Sequence, residues 1–91
     1  MIVNIIDYGN EGDKYFVEYK VDELSQDQLD FLKESLEEQT RIDDGSLFIK
    51  SYFDEDLYPF QSDVAKIRLD DFIAREEIEM NVFLSSFLED M

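Results

Sequence analysis

The chain has 91 residues, of which 44% are hydrophobic and 14% aromatic, with eight Phe and five Tyr. That size supports one domain over residues 1–91 with a modest core, and the ring content excludes a disordered acidic tail. Twenty-four Asp and Glu against eight Lys and Arg give a formal net charge of −16, which disfavours nucleic acid and anionic membrane as partners and favours basic proteins.

Ile2 to Tyr8 is rich in β-branched residues and is expected to be a strand. Gly9 to Asp13 has turn chemistry. Tyr15 to Val21 alternates, with Tyr15, Val17, Tyr19 and Val21 on one side and Phe16, Glu18 and Lys20 on the other. Two such runs joined by a Gly-containing loop make a hairpin.

Ser25 to Gln39 reads as one amphipathic helix. Ser25 is a good N-cap and Gln28 completes a capping box. Leu29, Leu32 and Leu36 share one face and point at a core. Asp27, Asp30, Glu34 and Glu38 line the opposite face, with Glu37 beside them and only Lys33 to relieve them. Like charges one turn apart cost ~0.2–0.5 kcal/mol per pair, so this row works against helix stability.

Asp44-Gly45 marks a turn. Ser46 to Phe53 then reads as a strand, with Leu47, Ile49 and Phe53 on one face and Phe48, Lys50 and Tyr52 on the other. Asp54 to Asp63 is expected to be a loop broken by Pro59. Its Tyr58 and Phe60 serve either as anchors to the core or as an exposed hot spot. Val64 to Leu69 alternates Ala65, Ile67 and Leu69 with Lys66 and Arg68, and is expected as a last short strand. From Asp70 the period turns helical. Met80, Phe83, Leu84, Phe87 and Met91 form a stripe, Leu69 and Ile73 extend it, and the Glu76-Glu77 pair interrupts it, which leaves a break or kink and a continuous helix both open there. The order ββαββα gives an α+β fold, a small and mainly antiparallel sheet with acidic helices packed on it.

Charge segregates by element. Lys14, Lys20, Lys50, Lys66 and Arg68 lie in or beside the expected strands, whereas acids concentrate in helices and loops. A mixed sheet face and an almost purely negative helix-and-loop face follow.

Catalytic chemistry finds little footing. Without His or Cys the usual general bases, nucleophile pairs and zinc ligands are missing, and no carboxylate pair is marked for a cleft. The protein is therefore read as not an enzyme. Asp43-Asp44-Gly45 and Asp54-Glu55-Asp56 do not fit the spacing of a calcium loop, so no metal or other cofactor is expected. The opening MIVNIID has no basic leader and no long apolar run, so cytoplasmic residence is expected.

Two readings compete for the acidic row. One is a solvated face in an acidic protein. The other is electrostatic mimicry of DNA, whose duplex carries one negative charge per ~1.7 Å of axis. In that reading Asp27, Asp30, Glu34, Glu37 and Glu38 begin a track that Asp43, Asp44, Asp54, Glu55, Asp56, Asp70, Asp71, Glu76, Glu77 and Glu79 extend. Phe31 lies beside the acidic row, and Ile78 and Val82 lie opposite the apolar stripe of the last helix. Either another element covers these three, or they form a second apolar surface, most simply a homodimer seam. An acidic adaptor that binds through that surface, with charge serving solubility only, is the alternative function.

The opening MIVNIIDYGNEGDKYFVEYK, the length, the lack of His and Cys and the acidic helices resemble the Arn family of anti-restriction proteins from T-even bacteriophages. The resemblance spans essentially the whole chain but includes no catalytic motif. It implies a phage protein that acts in the bacterial cytoplasm as a DNA mimic. Its implied partners are a host restriction endonuclease that cuts modified-cytosine DNA and the histone-like nucleoid-structuring protein.

Overall fold

A computed structural model describes the backbone of residues 1–36, 39–54 and 65–91, and side chains within those ranges outside 53–70. The elements run β1 (Ile2–Glu11), β2 (Lys14–Asp22), α1 (Gln26–Ser35), β3 (Gln39–Asp43), β4 (Ser46–Asp54) and α2 (Ala65–Glu89). The fold is α+β with the expected ββαββα order. The four strands form one antiparallel sheet in the order β1-β2-β4-β3.

Turn chemistry sets the two hairpins. Asp44 and Gly45 both take positive φ, 51° and 77°, which is the type I′ geometry that matches strand twist and lets Asp43 pair with Ser46. In the first hairpin Glu11 pairs with Lys14, so the turn is tighter than Gly9–Asp13 and β1 runs on to Glu11. A bulge between Ile5 and Asp7 lets β1 keep Val3 and Ile5 opposite Val21 and Tyr19.

One face of the sheet is the core face. Tyr15, Val17, Tyr19 and Val21 of β2 and Leu47 and Ile49 of β4 are almost fully buried there. They meet Leu29, Leu32 and Leu36 from α1 and Phe72, Met80 and Leu84 from α2. α1 packs over β3 and β4, α2 over β1, and the helices touch each other. At ~25 cal/mol per Å² of apolar surface removed from water, this shared layer is the main stabilising term.

Two elements differ from expectation, and one open point is decided. Gln39–Asp43 is a strand, whereas the helix was expected to reach Gln39; α1 ends at Ser35 because Leu36 adopts extended backbone as its C-cap. Of the expected strand Val64–Leu69, Val64 lies outside the described residues and the rest is helical. Ala65 to Leu69 is the first part of α2, so Lys66 and Arg68 belong to a helix. α2 also runs unbroken through Glu76-Glu77, because both carboxylates find hydrogen-bond donors on the sheet below. The stripe itself is less uniform than its spacing implies: Met80 and Leu84 are buried, Phe87 is half-buried, and Phe83 and Met91 are exposed. The expected loop with Tyr58, Pro59 and Phe60 lies outside the described residues.

Candidate functional site

Helix α1 presents the first acids. Ser25 Oγ accepts from Gln28 N at 3.2 Å and Gln28 Oε1 accepts from Ser25 N at 2.9 Å, closing the capping box and fixing where the helix starts. Leu29 and Leu32 turn inward, which leaves Asp27, Asp30 and Glu34 exposed on the far side. Asp30 accepts a hydrogen bond from Gln26 Nε2 at 3.0 Å. α1 ends at Ser35, so its own row consists of these three, and Glu37 and Glu38 lie outside the described residues.

The remaining candidates divide. Asp43 and Asp44 are exposed at the β3–β4 turn, and Asp71 and Glu79 are exposed on α2. Asp54 is the last residue of β4 and Asp70 lies in α2, but their side chains, like Glu55 and Asp56, lie outside the described residues. Glu76 and Glu77 do not join a surface track. Glu76 accepts from the Tyr19 hydroxyl at 3.4 Å and Glu77 accepts from the Ile5 N–H at 2.9 Å, both facing the sheet.

Ion pairing separates the two sides of the protein. The four pairs among the described residues all lie on the strands: Lys20 with Asp22 at 4.0 Å, Arg41 with Glu18 at 3.8 Å and Asp43 at 3.7 Å, and Lys50 with Glu11 at 2.8 Å. The Glu11 carboxylate also accepts from the Tyr52 hydroxyl at 2.7 Å, and these two partners hold it below its ordinary pKa, Lys50 most strongly. Arg41 stacks over Phe48 at 4.1 Å, and Lys50 lies over Phe16 at 4.4 Å. Asp22 accepts a hydrogen bond from Ser46 Oγ. By contrast, Asp27, Asp30, Glu34, Asp71 and Glu79 form no ion pair among the described residues. Among the described residues, then, ion pairing is confined to the sheet.

That cation–ring lattice is the feature sequence reasoning missed. Its signal was present as Phe48, Lys50 and Tyr52 at alternate positions, but Arg41 enters only through β3, which the sequence does not announce.

Between Tyr52, the Tyr19 edge and α2 lies a cavity of about 470 Å³ that Glu76, Glu79, Met80 and Phe83 also line. Burial raises the Glu76 pKa above its ordinary value, with the neighbouring Glu79 charge adding to it. Burial likewise pushes the Tyr19 hydroxyl up, with Glu76 next in weight, so this hydroxyl stays a donor. Among the described residues no group of three carboxylates gathers as a metal ion requires. Among them, too, no helix is long and apolar enough to cross a membrane.

Of the candidate seam residues, Phe31 is half-buried and packs against the core, so the domain itself covers it. Ile78 and Val82 differ, at 66% and 65% exposed. They line a groove between α2 and β1.

These features define a two-layer acidic α+β protein whose described ion pairs all lie on its sheet. The chain belongs to DUF5750, a family of unknown function, which it matches over residues 2–90. No curated protein matches it.

Proposed function

We propose that this protein is a DNA-mimicking inhibitor. It presents helix-side carboxylates to the DNA-binding site of a basic host protein and so competes with DNA for that site. One observation carries the reading. Every described ion pair lies on the strands, and Asp27, Asp30, Glu34, Asp71 and Glu79 have none among the described residues. In a chain of net charge −16, unpaired acids cost stability, and a cationic partner recovers it on binding. The targets that the resemblance to the Arn family implies are a restriction endonuclease and the histone-like nucleoid-structuring protein. The action is stoichiometric and not enzymatic, it needs no cofactor, and its setting is the host cytoplasm.

The test is complex formation with such a DNA-binding protein across a salt series, with duplex DNA as competitor. Mimicry of six or more phosphates requires a loss of ~10³-fold or more between ~50 and ~200 mM salt. Affinity that stays flat over that range, or a complex that duplex DNA leaves intact, refutes the reading.

A second reading is supported by Ile78 and Val82, which stand about two-thirds exposed on the outward side of α2. In it the protein is an adaptor that binds through an apolar face, and its charge serves solubility.

A further inference from the structure

We propose that the groove between α2 and β1 seats a cationic amphipathic helix contributed by a partner polypeptide. This rests on the apolar face of the adaptor reading and adds to it a binding role for the acids at the groove; it does not depend on DNA mimicry.

The groove has a volume of about 550 Å³ and is lined by Val3, Ala74, Glu77, Ile78, Asn81 and Val82. That lies within the ~300–1,000 Å³ typical of ligand-holding clefts. Its apolar wall is not left over from folding. Met80 and Leu84 fill the core from the other side of the same helix, so Ile78 and Val82, one turn apart, contribute little to the fold where they stand.

Backbone geometry selects the form of the occupant. An extended segment entering here would have to add to β1, the edge strand. The bulge between Ile5 and Asp7 disrupts its register, and Glu77 already occupies the Ile5 N–H. A helix satisfies its own backbone and needs only side-chain contacts.

Charge selects its composition. Glu77 sits in the groove wall with one oxygen on Ile5, and no cation pairs with it among the described residues. Asp71 lies seven positions before Ile78 and Glu89 seven after Val82, so both exposed acids fall on the same outward face and bracket the apolar centre. Arg75, exposed on α2 three positions before Ile78 and seven before Val82, shares this face, but it is one cation against Asp71, Glu77 and Glu89. A second copy of a chain with net charge −16 would oppose acid with acid, whereas lysines or arginines flanking an apolar stripe match the bracket.

The experiment is fluorescence anisotropy with an end-blocked, labelled Leu/Lys peptide of about four helical turns, at ~150 mM salt. The control is a Lys/Ser peptide of equal charge. The Leu/Lys peptide is expected to bind at least about tenfold more tightly than the control, an advantage that the double substitution Ile78→Ser, Val82→Ser removes and Glu77→Gln reduces. Equal affinity for the two peptides, or undiminished binding by the serine double variant, overturns the proposal. Amide shifts of the unsubstituted protein on titration give a check independent of any variant. Shifts centred on Ala74, Ile78 and Val82 support the groove. Shifts centred on Asp27, Asp30 and Glu34 overturn it and leave the carboxylate surface standing. A peptide-free dimer in sedimentation that the serine variant dissolves overturns it in favour of a second copy.

Discussion

Glu77 Oε2 accepts the Ile5 N–H at 2.9 Å, tying α2 to the edge strand across 72 residues of sequence. The bond does two things. It satisfies a half-buried backbone donor, and it covers part of a sheet edge that would otherwise offer itself for pairing. Glu77→Ala is expected to destabilise the fold by about 1–3 kcal/mol, the penalty for leaving such a donor unmet. Glu77→Gln retains an acceptor and is expected to lose less. Denaturant unfolding of both variants, with hydrogen exchange at the Ile5 amide, measures the difference.

Glu76 sets a pH dependence of definite sign. Its pKa in the fold is raised, first by burial and then by Glu79, so the folded protein holds this proton more tightly than the unfolded chain does. The stability this contributes is complete below the ordinary carboxylate value of 4.5 and is lost as pH rises through the raised value. Glu76→Gln keeps an acceptor for the Tyr19 hydroxyl and removes the charge. The substitution is expected to raise the unfolding midpoint at neutral pH and to flatten its fall between acid and neutral pH. A variant whose midpoint falls in parallel with the unsubstituted protein would contradict this assignment.

Asp30 lies one turn from both Asp27 and Glu34, and no ion pair relieves the three among the described residues. Each like-charged neighbour costs ~0.2–0.5 kcal/mol, so Asp30→Asn with Glu34→Gln is expected to stabilise the protein by up to about 1 kcal/mol. Asp27 is left in place because a carboxylate in the first turn favours the helix dipole. Under the DNA-mimic proposal the same double variant binds its partner more weakly and with a shallower salt slope. Opposite effects on stability and binding identify a surface kept for recognition.

Leu32 is fully buried where α1 meets the sheet, and Leu32→Ala is expected to cost about 2–5 kcal/mol. Ser25→Ala, which removes only the cap, is expected to cost about 1 kcal/mol. Thermal or denaturant unfolding ranks the two, and the reverse order would mean that α1 is held by its cap more than by its packing.

Local signals were legible where one short-range rule decided the outcome. The Ser25–Gln28 box starts α1 where it predicts. Asp44-Gly45 turns where left-handed backbone is cheapest, and the alternation from Tyr15 to Val21 matches a strand with one face buried. Gln39–Asp43 was not legible. It is a five-residue edge strand whose alternation rests on Thr40 and Ile42 alone, held by its pairing with β4. The alternation of Val64–Leu69 was read with the wrong period, since six residues are too few to separate a strand from the start of a helix.

The expected segregation of cations to the strands does not hold, because Lys33, Lys66, Arg68 and Arg75 all lie on helices. The sequence alone determined that this is an acidic, ring-rich chain of strands and helices. Periodicity and composition express those properties without reference to distant residues. Only the tertiary structure decided which acids face outward. Asp27 and Glu79 remain at the surface, Glu76 and Glu77 are drawn to the sheet by Tyr19 and Ile5, and Phe31 is covered while Ile78 and Val82 are not. The reason is physical: spacing puts a side chain on a face, but the donors and apolar surface packed against that face, from residues far away in the chain, decide whether it is used inside the fold or left for a partner.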